Sequence, residues 1–121
     1  CHGDLHSDHI VLTNPISLID CIEFNKRFRY GDIFIDLAFI LMDLDYLGFS
    51  KYGIKLKQAY YEESGIKGLD SLLLFYKVYR AYVRAKVTCF RLDEPNLKVN
   101  EKDQILQTAQ KYFMLALDYI S

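Results

Sequence analysis

At 121 residues, with 51% hydrophobic and 15% aromatic composition, the chain can bury a real core without disulfides or metals, which excludes the disordered and disulfide-stapled classes. Its 15 basic and 16 acidic residues leave a net charge of -1, so no overall field favours nucleic acid or an anionic membrane. Cys1, Cys21 and Cys89 are widely spaced and form no CxxC pair, which points to a reducing, cytoplasmic home.

In chain order, residues 10–13 and 16–21 are short β-branched and apolar runs separated by the turn dipeptide Asn14-Pro15, a pattern that predicts a small hairpin carrying Asp20 near its far end. Residues 33–47 are apolar on nearly every face, with Asp32 able to cap the start and Gly48 to stop the end. This predicts a helix at the buried centre of the fold. Asp36, Asp43 and Asp45 interrupt the same run, and charges there argue against a membrane span. A second helix is predicted over residues 50–64, with Leu56, Ala59 and Tyr60 on its inner side, followed by a turn from Gly65 to Gly68. Asp70 caps a third, running to about residue 92, whose apolar positions Leu73, Tyr76, Tyr79, Val83 and Val87 recur at helical spacing. Asn100 caps a fourth, with Ile105, Ala109, Tyr112, Phe113, Ala116 and Ile120 as its inner stripe. The fold class expected is mainly α: one domain over residues 1–121, with a loop and hairpin over 1–25 and a helical part over 30–121.

The densest polar cluster is His2-Gly3-Asp4-Leu5-His6-Ser7-Asp8-His9, set in a loop before the hairpin. A loop aspartate can take a proton from a substrate hydroxyl, and an oxygen ligand on the next strand can hold a divalent metal over a nucleotide's phosphates. Asp4 and Asp20 have that relationship once Asn14-Pro15 folds the second strand back. The cluster also has the composition of a zinc site, through His2, His6, Asp8 and His9. Lys77, Arg80, Arg84 and Arg91 recur at helical intervals and read as a solvated face, or one pairing with Asp32, Asp43 or Asp45. The tyrosines and phenylalanines read as packing.

His2-Gly3-Asp4-Leu5-His6 resembles the HGDLHxxN catalytic loop of aminoglycoside phosphotransferases and their small-molecule kinase relatives. Ile19-Asp20-Cys21-Ile22-Glu23-Phe24-Asn25 is similar to the metal-binding segment of one uncharacterised branch, often joined to a P-loop ATPase domain. Gly31-Asp32 and Asp36-Leu37-Ala38 resemble the family's GDxxxDLA segment. Residues 79–86 also look like that branch. The resemblance implies the C-terminal helical lobe of a protein-kinase-like fold, with Asp4 as catalytic base and Asp20 as magnesium ligand. By the same resemblance Asp36 would brace the catalytic loop, with His2 and His6 supporting it. It implies ATP and Mg2+ as cofactors of a longer parent protein, and transfer of the γ-phosphoryl group to the hydroxyl of a small molecule. Acidic residues such as Glu23, Asp43 or Asp45 could line a cleft for a cationic acceptor, which the sequence does not itself show. Nucleic acid and membrane are not expected partners.

Two departures stand out. His9 occupies the place of the family's second magnesium-ligating asparagine, where it is a substitute or degenerate ligand, and Asp8 replaces the usual preceding glycine. No Gly-rich loop or N-terminal strand lysine is present to hold a triphosphate, so the chain reads as a fragment lacking its N-terminal lobe and inactive by itself. The alternative is a catalytically degraded pseudokinase that serves as an interaction scaffold.

Overall fold

The computed structural model describes residues 1–67 and 70–121, with the side chains of all but Phe28 and Arg29. The turn expected from Gly65 to Gly68 therefore ends on a residue outside those described. The architecture is mainly α, a two-stranded antiparallel hairpin followed by four helices. Strands β1 (Ile10–Val11) and β2 (Ser17–Leu18) pair Ile10 with Leu18 and Val11 with Ser17. Between them lies a cis Asn14-Pro15 bond, and the Thr13 hydroxyl donates to the Pro15 carbonyl at 2.7 Å. The helices are α1 (Phe34–Tyr46), α2 (Ser50–Ser64), α3 (Asp70–Phe90) and α4 (Val99–Ile120). Single 3-10 turns occupy Ser7–His9, Lys26–Arg29 and Arg91–Asp93. No helix among the described residues is long and apolar enough to cross a membrane.

The chain divides into two compact units, Cys1–Tyr76 and Lys77–Ser121, with the division falling inside α3. In the first, Phe34, Leu37, Ala38, Ile40 and Leu41 of α1 form a core with Leu73, flanked by Leu5, Ile10, Tyr60 and Tyr61. A helix apolar on every side must be enclosed on every side, and α1 is. Its start is fixed by Asp32, whose Oδ1 accepts the Phe34 N–H at 2.9 Å while Oδ2 accepts the Tyr76 hydroxyl at 3.1 Å. Its end is turned by Gly48, at φ 85°, a left-handed conformation that glycine adopts without steric cost. Helix α2 meets α1 through Gly53, whose missing side chain would contact Leu41 at 3.4 Å. Leu56 and Ala59, expected on the inner side, are exposed.

In the second unit α3 and α4 run antiparallel, with the Tyr82 and Phe113 rings edge-on at 5.9 Å. The inner stripe of α3 differs from expectation. Ala81, Ala85 and Thr88 are buried, while Tyr79 and Val87 are about half exposed, so in this stretch the small residues rather than the bulky ones face inward. On α4, Ile105, Ala109, Tyr112 and Ala116 are buried as the spacing predicts, but Phe113 and Ile120 are exposed. This helix starts at Val99, not at a cap on Asn100. The Glu101 carboxylate accepts the Lys98 N–H at 2.8 Å, the reach-back bond of a capping box. Several aromatics read as packing, Phe24, Tyr30 and Phe75 among them, lie on the surface.

Candidate active site and metal cluster

The loop Cys1–His9 is held from beneath by α1. Asp36 accepts two backbone N–H groups through separate oxygens, His2 at 2.7 Å and Gly3 at 2.9 Å. Asp43 accepts the Ser7 N–H at 2.8 Å. Seven residues are close to two helical turns, so both carboxylates lie on one face. Gly3 is buried at φ 87°, and a Cβ there would stand 3.0 Å from Ile22 Cδ1. Only glycine gives the loop this path.

Hydrogen bonds settle which histidine nitrogens carry protons. A carbonyl can only accept, so His9 Nδ1, 2.8 Å from the Asp4 carbonyl oxygen, is the donor. In the neutral ring this leaves Nε2 with its lone pair, 3.8 Å from Asp20 Oδ2. His2 has the opposite tautomer: Nδ1 accepts the Asp4 N–H at 3.3 Å and Nε2 donates to the Ile19 carbonyl. Both of its nitrogens serve the backbone. His6 stacks against His9 with ring centroids 3.8 Å apart and places Nε2 3.7 Å from Asp4 Oδ2. Ligand atoms of Asp4, His6 and His9 all lie within 4.8 Å of one another.

The hairpin delivers Asp20. Beyond β2 the Ile19 N–H donates to the His9 carbonyl at 2.9 Å, and the Ile22 N–H to the His2 carbonyl at 2.9 Å. Between those bonds Asp20 takes a left-handed φ of 55°, and its carboxylate is 73% exposed. His9 thus stands between the Asp4 backbone and the Asp20 side chain.

Proteins similar to this chain are known in mycobacteria. An uncharacterized protein of Mycobacterium bovis is 43% identical over 94 residues, which is 77% of this chain. Two uncharacterized proteins of Mycobacterium tuberculosis match equally, each 43% identical over 94 residues. The chain spans only 19% of the length of these curated relatives. No family model matches the chain, and no solved structure matches it.

Of the two residues expected to hold magnesium, Asp20 offers the exposed oxygen that a hard ion takes alongside phosphates and water. His9 does not fit, because magnesium is ligated by oxygen and an imidazole suits softer ions. The zinc-compatible set read from the sequence also changes. His2 is occupied on both nitrogens, Asp8 is exposed and outside the cluster, and Asp4 joins His6 and His9. The basic stripe on α3 is not a uniform solvated face. Lys77 lies over the Tyr119 ring at 4.5 Å, Arg84 over Tyr112 at 5.6 Å, and Arg80 is buried. Asp43, expected to line a cleft or pair with that stripe, is buried beneath the loop. Its seven-residue spacing from Asp36 was the available signal.

Proposed function

We propose that the chain is the C-terminal helical lobe of a kinase-like small-molecule phosphotransferase. The observation that carries the reading is the suspension of the Asp4 loop from Asp36 by the paired His2 and Gly3 N–H bonds. Such bracing keeps a catalytic carboxylate in one place without using the carboxylate itself, and phosphoryl transfer depends mostly on positioning and charge. In this reading Asp4 orients the acceptor hydroxyl and takes its proton as the oxygen–phosphorus bond forms and the bond to the leaving nucleoside diphosphate breaks. Asp20 holds Mg2+, which supplies charge neutralisation for ATP when bound. The triphosphate is held by an N-terminal lobe, so the chain by itself is inactive. A fused P-loop ATPase domain and a cytoplasmic location belong to the same proposal.

A degraded scaffold is the second reading, favoured by the imidazole of His9 where an oxygen ligand is needed. Calorimetric titration of ATP with and without Mg2+ into the full-length parent, native and His9→Asn, separates the two. Magnesium-dependent binding by the native protein supports the kinase. Binding only after the substitution supports the scaffold, and no binding by either form rejects the kinase.

A further inference from the structure

We infer that Asp4, His6 and His9 form a site for a borderline divalent transition-metal ion, of which zinc is the simplest case. Two imidazoles and one carboxylate are a donor set that zinc accepts, leaving a fourth position open to water or to the adjacent Asp20. Ligands about 2.0–2.1 Å from a tetrahedral ion lie roughly 3.3 Å apart. His6 Nε2 and Asp4 Oδ2, at 3.7 Å, are near that edge already, and no pair in the cluster exceeds 4.8 Å. An ion therefore has to draw the atoms together by roughly 0.4 to 1.5 Å.

The hydrogen bonding favours the same ion. His9 donates Nδ1–H to a backbone carbonyl, the arrangement that fixes a metal-binding histidine's tautomer and leaves Nε2 as the nitrogen with a lone pair for an ion. The carbonyl belongs to Asp4, so one ligand's backbone orients another ligand's ring. That residue is itself anchored through its N–H on His2. The loop carrying the site hangs from Asp36 and Asp43, so the three donors are positioned on a framework that does not depend on the ion. Magnesium gains nothing from the two imidazoles, whereas zinc, cobalt and nickel do.

Because Asp4 serves both readings, a bound ion withdraws its carboxylate from proton transfer. The test is therefore made without nucleotide, and its outcome does not depend on the phosphotransfer reading. The full chain is titrated with Co2+, then with Zn2+, in the native form and in a Cys1→Ser, Cys21→Ser, Cys89→Ser background. The inference expects one ion per chain and a tetrahedral cobalt spectrum without thiolate bands, unchanged by the cysteine substitutions. His6→Gln and His9→Gln should each weaken zinc binding by more than about 100-fold, beyond the loss typical of outer-shell changes. Nitrogen NMR of the native protein keeps the test independent of how the variants fold: zinc should shift Nε2 of His6 and His9 and leave His2 unmoved. Absence of stoichiometric uptake overturns the inference. So does uptake that leaves His6 and His9 unshifted, moves His2 instead, or disappears with the cysteines.

Discussion

Asp36 and Asp43, two turns apart on one face of α1, hold opposite ends of the same loop, the first through His2 and Gly3 and the second through Ser7. The helix that forms the core thereby also sets the position of Asp4. A hydrogen bond to a charged group contributes about 1.5–3 kcal/mol. Asp36→Ala, which removes two, should lower stability by about 3 kcal/mol or more, and Asp43→Ala by about half as much. Urea unfolding of the two variants measures this. A change below about 0.5 kcal/mol, the range of plain surface substitutions, in Asp36→Ala would remove its bracing role.

Gly3→Ala tests the loop's path. The left-handed φ of 87° costs an L-residue about 1–2 kcal/mol, and the new Cβ also meets Ile22 at 3.0 Å. The variant should be destabilised by at least that amount. Shortening the neighbour in Gly3→Ala/Ile22→Ala should recover less than expected for a simple clash, because the backbone strain persists. Thermal unfolding of both variants supplies the comparison, and full recovery in the double variant would assign the cost to the clash alone.

Much of this arrangement is legible in the sequence where a residue has one local job. Ser50 and Gly65 bound α2, and Gly48 ends α1, because a helix stop needs only a residue able to turn the chain. The hairpin follows from Asn14-Pro15 for the same reason. The start of α4 was not legible as a cap on Asn100, since the bond that opens the helix comes from Glu101 reaching back to Lys98. On α3 Leu73 lies inside as its spacing predicts, but further along the inner face departs from the hydrophobic pattern, because Tyr79 and Val87 carry more apolar surface than the buried Ala81 and Ala85. Which residues go inside is decided by what the helix packs against, which no single segment reports. In the site, the loop motif announced Asp4, but the role of Asp43 depends on a contact 36 residues away.

That packing argument sets its own test. Ala85 is fully buried on α3, whereas Val87 is 48% exposed. Ala85→Leu forces extra volume into a fully buried position and should cost about 1–3 kcal/mol. Val87→Thr should change stability by less than about 0.5 kcal/mol. If urea unfolding returned the reverse order, the stripe read from hydrophobicity would be the true inner face.

Tyr76 joins the start of α1 to α3 through its bond to Asp32. Burial raises its hydroxyl above the ordinary tyrosine range, and the bond to Asp32 and that residue's negative charge raise it further. The folded state thus keeps a proton that the unfolded chain releases. The resulting stabilisation is fully present below about pH 10, the unfolded value, and is lost as pH rises through the higher folded value. Stability of the native protein should therefore fall from about pH 10 upward. Tyr76→Phe should be less stable at neutral pH by about 1.5–3 kcal/mol and lack this alkaline component. Urea midpoints across the alkaline range check both, and parallel curves for the two proteins would refute the assignment.

Asp4→Asn separates the chemistry of the site from its framework. The backbone of Asp4 carries the loop's own bonds, its N–H to His2 and its carbonyl from His9, and asparagine leaves those groups in place. The fold should survive, with the helical signal in circular dichroism unchanged. In the full-length parent, the proposed phosphotransfer should nevertheless fall by about 10²–10⁴-fold in kcat, the contribution usual for a positioned general base. ATP affinity should hold, because the carboxylate faces the acceptor in this reading. A variant that lost nucleotide binding while keeping its turnover of bound ATP would place Asp4 among the nucleotide's ligands, and the base would have to be sought elsewhere in the loop.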